Sequence, residues 1–289
     1  MPGSNTPYLR WASALTAAAL LGSAALHGAT GADAQARMTR DLTAGRPIVV
    51  HVIVALCDNV HQGIVPVPKH LGNGQDPNSN LYWGAAFGVR SYLSRQAAWT
   101  RVPATIPGYG AVLDRAIFFG KVQRDGKPAS VYVVADAWDG ATIRSAIERF
   151  LKMAGGASPE EVSFRRGAET VSLLAGGSAH LVAFVGHDGL MDFSLPPPTP
   201  AAPGRAAASS IVLACASKLY FLERLRAVGS HPLLLTTGLM APEAYTLDAA
   251  IRAWAGGSSV AAVREAASVA YQKFQKSGIG GARRLFWGE

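Results

Sequence analysis

Apolar positions in this chain gather into short, dense blocks set off by polar or Gly/Pro-rich text. Two of them, LVAFVGHDG (181–189) and SIVLACAS (210–217), are runs of bulky and β-branched residues that close on His187 and Cys215. PIVVHVIVAL (47–56) and PLLLTT (232–237) have the same character. Apolar runs of this length with turn signals behind them are the pattern of buried strands in a parallel sheet. AIFFGKV (116–122) and SVYVVADA (130–137) are joined through Arg124-Asp125-Gly126-Lys127, and Asp-Gly between two strands predicts a hairpin. Helical spacing takes over elsewhere. Leu81, Ala85, Val89 and Tyr92 share a face over 81–94, and Ile143, Ile147, Phe150 and Leu151 share one between Asp139 and Gly155-Gly156. Further helices are predicted for Lys218–Val228, around Leu247, Ile251 and Trp254, and over Val260–Lys276, capped by Ser258 or Ser259 and ended by Gly278. Pro159–Gly177 has no clean period and is assigned to a small satellite element. Strands alternating with helices predict an α/β sandwich, a mostly parallel sheet flanked by helices.

Two stretches fall outside both periods. The text between the first strand and Leu81 (CDNVHQGIVPVPKHLGNGQDPNSN) is a loop long enough to be functional or mobile. His51, His61 and His70 lie in or near it with Asp58 and Asp76, but their spacing matches no metal-ligand pattern, so no metal is expected. Asp76-x-Asn78-x-Asn80 starts like a calcium loop and then fails, with Leu81 where Gly is needed and Phe87 where Glu is needed. Asn78-Ser79-Asn80 fits a helix N-cap better. The second stretch, SLPPPTPAAPGRAAAS, carries prolines that forbid helix and sheet interior, and it predicts an exposed, mobile connector between the His and Cys blocks.

Charge changes the picture little. Lys and Arg number 27 against 19 Asp and Glu, a net charge of +8. The cations are scattered in nothing longer than the pairs Arg165-Arg166 and Arg283-Arg284, and no nucleic-acid-binding signature accompanies them, so a basic surface without a nucleic-acid partner is expected. The N-terminus adds more. Arg10 precedes the uncharged run Trp11–Leu26, and ADAQA (32–36) offers A-x-A cleavage sites, which is the layout of a secretory leader spanning residues 1–36. Residues 37–289 are then one domain with a C-terminal helical extension, secreted or periplasmic, with no membrane span once the leader is removed. Should Met38 be the true start, the protein is cytoplasmic. The cysteines, Cys57 and Cys215, both end predicted strands. One strand between theirs would set their Cα atoms roughly 10 Å apart, beyond the ~7 Å a disulfide tolerates, so sheet order decides between a bridge and a free thiol.

A thiol and an imidazole carried to the carboxyl edge of a parallel sheet are the two parts of thiolate nucleophilic catalysis. G-x-S-x-G, P-loop, H-E-x-x-H and Rossmann glycine signatures are absent, and no cofactor is expected. The blocks Phe184-Val185-Gly186-His187-Asp188-Gly189 and Ile211-Val212-Leu213-Ala214-Cys215 resemble the caspase-like cysteine peptidases, the group of caspases, legumains, gingipains and separases. The resemblance implies a caspase-like three-layer sandwich whose first strand lies beside the histidine strand, itself beside the cysteine strand, which leaves Cys215 unbridged. It implies Cys215 as nucleophile and His187 as general acid and base. Asn59, in Ala55-Leu56-Cys57-Asp58-Asn59, falls where legumain-like members orient the histidine. Amides of Gly189 and Cys215 would hold the oxyanion, and Thr236 and Thr237 would help wall the pocket for a peptide or protein substrate. The alternative is a non-catalytic relative that binds a peptide or cell-envelope partner at the same edge.

Overall fold

A computed structural model describes residues 31–200 and 208–289. The leader prediction lies outside these residues except for 31–36, and so does the middle of the Pro-rich connector. Strand β1 (Ile48–Ala55) is buried along its whole length, as expected for a strand covered on both faces. It pairs in parallel with β4 (Lys127–Trp138) on one side and β7 (Leu181–Val185) on the other. Strand β7 pairs in parallel with β8 (Ser209–Leu213), and β8 with β9 (His231–Thr236). The first strand therefore lies beside the histidine strand, and the histidine strand beside the cysteine strand.

The sheet is mixed rather than mostly parallel. Its eight strands run β10-β9-β8-β7-β1-β4-β3-β2. Strands β3 (Val112–Arg124) and β2 (Thr100–Val102) are antiparallel at one edge, and β10 (Phe286–Trp287) is antiparallel at the other. The β3–β4 turn is the expected hairpin, with Asp125 (φ 51°) and Gly126 (φ 73°) both left-handed, as a two-residue turn of this hand demands. The satellite element is a second hairpin, β5 (Pro159–Arg166) with β6 (Glu169–Gly176).

Alternation along the strands sorts the core into two layers. Val50, Val52, Val54, Ala183, Val185, Ile211 and Leu213 face α5 (Ala244–Ala255) and α6 (Val260–Gln275). Val49, Ile53, Val182, Phe184 and Val212 face α3 (Ile143–Ala154) and α4 (Ser217–Ala227). Phe150 of α3, Phe184 of β7 and Phe221 of α4 meet with ring centroids 5.8–6.0 Å apart, so one aromatic cluster joins both helices to the histidine strand.

One expected element needs correction. The helix predicted over 81–94 is only α2 (Val89–Ser94). Upstream of it Asn80 accepts the amides of Trp83, Gly84 and Ala85 on its backbone oxygen, and a Cβ on Gly84 would lie 1.9 Å from the Asn78 oxygen, a turn too tight for helix. In the C-terminal part α6 packs on α5, and α7 (Ile279–Leu285) delivers β10 to the open edge of β9. Helix α1 (Gly31–Thr43) was not anticipated: Ala34 and Met38 are buried, and Arg37 donates to the Ala179 and Ser178 carbonyls.

Candidate functional site

Strands β7 and β8 end on one shared rung, Val185 opposite Leu213, and the Gly186 amide still donates to the Leu213 oxygen at 3.2 Å. His187 and Cys215 each follow two residues later, so both leave the same carboxyl edge of the sheet from neighbouring strands. Gly186 is required there: a Cβ would sit 2.9 Å from the Ala55 oxygen of β1. Cys57 leaves the same edge from β1, one strand beyond β7, and both cysteines are free thiols. They differ in setting. Cys57 is fully buried, and burial pushes its thiol up to about 11, with the Tyr82 hydrogen bond opposing and the Asp58 charge adding to the rise.

Cys215 is half-buried and stands at the N-terminal end of α4. Its thiol donates to the Met240 oxygen at 3.6 Å, and the Met240 amide donates back to sulfur at 3.4 Å. The chain turns sharply after it: Ala216 is left-handed (φ 49°, ψ 29°), a conformation that costs an L-residue about 1–2 kcal/mol. Hydrogen bonds fix the turn. Ser217 Oγ donates to the Val212 oxygen, the Ser217 amide donates to Thr236 Oγ1, and Thr236 Oγ1 donates to the Ala214 oxygen.

His187 is almost buried, and its Nε2 lies 2.7 Å from Oδ2 of Asp192, a side chain one-third exposed. Asp192 closes a short 3-10 turn, Gly189–Met191, and its Oδ2 also accepts the Gly63 amide at 2.9 Å. Asp188 lies between the histidine and that turn. Its Oδ1 accepts the Leu190 amide, but its Oδ2 is buried without a hydrogen-bond partner among the described residues. Burial lifts this carboxyl to about 7; the Leu190 bond opposes the rise and the Asp192 charge adds to it.

Several expected site residues are used otherwise. Asn59 is not on the imidazole: its amide donates to the Val67 oxygen and accepts the Val67 amide, pinning the loop after β1. The Gly189 amide donates to the His187 oxygen, so it is not free for an oxyanion. Thr236 is fully buried and spends its hydroxyl on the Cys215 turn, so it does not wall a pocket. Thr237 is exposed, its amide bound to the Leu285 oxygen and its hydroxyl to the Arg284 oxygen. Sequence reasoning missed Asp192, although a carboxylate five residues after the histidine was its available signal.

One further cluster could be mistaken for a metal site. His51, Asp136 and Glu160 bring ligand atoms within 4.8 Å of one another. Arg115 already fills the space between the acids, with Nε and Nη2 on Asp136 at 2.6 and 2.8 Å and Nη1 on Glu160 at 2.7 Å. His51 accepts the Gly176 amide on Nδ1, so its proton is on Nε2, facing Asp136 at 3.1 Å. An N–H cannot ligate a metal, and the acids have their cation.

No protein-family model, no curated protein and no solved structure matches the chain. Among the described residues, no helix is long and apolar enough to cross a membrane.

Proposed function

We propose that the chain is an exported cysteine endopeptidase of the caspase-like type, with Cys215 as nucleophile and His187 as its acid–base partner. The observation that carries this reading is the shared rung of β7 and β8, from which imidazole and thiol leave one sheet edge on adjacent parallel strands. Cys215 as thiolate attacks a peptide carbonyl and forms a tetrahedral adduct. His187 protonates the leaving amine, then takes a proton from the water that cleaves the thioester. With the Gly189 amide engaged, the oxyanion is left to the Cys215 backbone amide and to whatever the turn releases when substrate enters. Past the carboxyl ends of β1, β7, β8 and β9, Val60, Val65, Met191, Leu219 of α4 and Leu239 are each 44–88% exposed. Such a collar suits a substrate segment with apolar side chains better than a charged one.

A second reading, a non-catalytic domain that binds a peptide or envelope partner at this edge, is favoured by the Gly189 amide being tied to the His187 oxygen. Alkylation by iodoacetamide at mildly acid pH separates the two. A thiolate sustained by His187 labels fast at Cys215 and slowly at Cys57, and purified protein then cleaves apolar peptides while the Cys215→Ala variant does not. Equal, slow labelling of both thiols removes the peptidase reading. N-terminal sequencing of the native protein tests export: a mature end at Gln35 or Arg37 supports it, and an intact Met1 or a start at Met38 moves the protein to an anchor or to the cytoplasm.

A further inference from the structure

One oxygen, Asp192 Oδ2, holds two groups from distant parts of the chain: Nε2 of His187 at 2.7 Å and the Gly63 amide at 2.9 Å. Gly63 belongs to the long loop after β1. We propose that Asp192 is the positioning residue of this site, orienting His187 through Nε2 while the loop that carries Gly63 is closed on the same carboxylate. The proposal rests on the reading of His187 and Cys215 as a catalytic pair.

A carboxylate only accepts, so the shared proton resides on Nε2 and the lone pair of the neutral ring is left on Nδ1. The turn fixes where the acid stands: Asp192 caps Gly189–Met191, with its amide on the Gly189 oxygen at 3.0 Å. A second observation is independent of the imidazole. A Cβ on Gly63 would fall 2.3 Å from Asp192 Oδ1, so any larger residue at 63 would have to push this carboxylate aside. The pair is partly exposed and contributes little to stability; its consequence is the tautomer and direction of the ring. Because both contacts fall on one carboxylate oxygen, ring orientation and loop closure share an anchor.

The test uses the full chain in two measurements. Nitrogen-detected NMR of the imidazoles reads the His187 tautomer, and iodoacetamide labelling reads Cys215. In the unsubstituted protein His187 is expected protonated on Nε2. Asp192→Asn presents an amide that can turn its own N–H to the ring, so the Nε2-protonated signature is lost and Cys215 labelling slows about 10-fold or more, with Cys57 labelling unchanged. Gly63→Ala, which keeps the carboxylate and the imidazole but pushes a Cβ against Asp192, gives a smaller change in the same direction. An unaltered tautomer in Asp192→Asn, with fast Cys215 labelling retained, overturns the positioning role alone. Slow Cys215 labelling in the unsubstituted protein overturns the dyad itself, and with it the catalytic meaning of the Asp192 contact.

Discussion

Three histidines among the described residues present Nε2 to an aspartate, and two of them, His51 and His187, sit in contrasting networks. His51 lies in the middle of β1, closed in by Asp136, Arg115, Glu160 and the Gly176 amide, and both of its ring nitrogens are used. Asp136 illustrates the closure. Burial alone would raise its carboxyl, yet the Arg115 bonds and the His51 contact hold it below the usual carboxylate range. His187 stands at the strand end with one nitrogen held by a half-open aspartate, a buried carboxyl oxygen unsatisfied next door and a thiol on the adjacent strand. A finished network is structural, whereas unsatisfied polar groups at a sheet edge mark a candidate site. The lesson is that the third group, not the His–Asp pair, tells the two apart.

Removing the cation from the closed network should have the largest effect. Arg115→Met leaves Asp136 and Glu160 facing each other with Asp136 fully buried, a loss of about 3–5 kcal/mol. Urea denaturation measures it. A loss below about 1 kcal/mol would show that the network is not closed, and the comparison with His187 would lose its reference.

His180 opens β7 as His187 follows its end, and it sharpens the contrast through pH. Its Nδ1 accepts the Val49 amide and its Nε2 meets Asp41 at 2.8 Å. Burial, with the Arg37 charge, lowers it to about 4 against the opposing Asp41 contact. Above about pH 6.5 the ring is neutral folded and unfolded, and its contribution is fully present. As pH falls toward 4 the unfolded chain takes up a proton that the folded one refuses, so stability is lost, on the order of 3 kcal/mol.

Asp188 runs the other way. Its carboxyl, lifted to about 7, keeps its proton when folded while the unfolded chain releases it, so stability falls as pH rises from about 4 to 7. The two groups therefore offset each other in that window. Asp188→Asn removes the second, with an expected gain on the order of 2 kcal/mol at pH 8 and none at pH 3.5. It leaves the acid lability of His180 unmasked. Urea midpoints across pH check this, and a variant no more stable than its parent at pH 8 would mean that Asp188 has found a partner.

Much of this was legible in the chain. The blocks that become β1, β7, β8 and β9 carry dense apolar text with few polar interruptions, and a fully buried strand needs little else to declare itself. The β3–β4 hairpin announced itself through Asp125-Gly126. The two-residue β10 was too short for any periodicity, and α1 was masked by its overlap with leader-like text. In the site, His187 and Cys215 were visible because they end apolar blocks. The Asp192–Gly63 contact spans 129 residues, and no local pattern encodes a pairing that only the packed loop creates. Arg115 and Asp136 left a fainter trace, as charges inside otherwise apolar strands.

The smallest predicted effect bears on the residue that resemblance put beside the imidazole. Asn59 makes two hydrogen bonds to Val67, at 2.7 and 3.0 Å, and packs so closely on Gly72 that a Cβ there would lie 2.3 Å from its Cγ. Its bonds hold the loop to itself. Asn59→Ala should therefore cost about 1–2 kcal/mol of stability, the worth of two partly buried hydrogen bonds. Because Asp192 still holds His187 and Gly63, the rate of Cys215 alkylation should stay within about twofold of the parent. Asp192→Asn does the reverse, sparing stability and slowing the thiol. Labelling the two variants side by side decides between the carboxylate and the amide as the group that directs the ring. If Asn59→Ala slows Cys215 as much as Asp192→Asn does, the loop as a whole, rather than its single contact on Asp192, sets the imidazole.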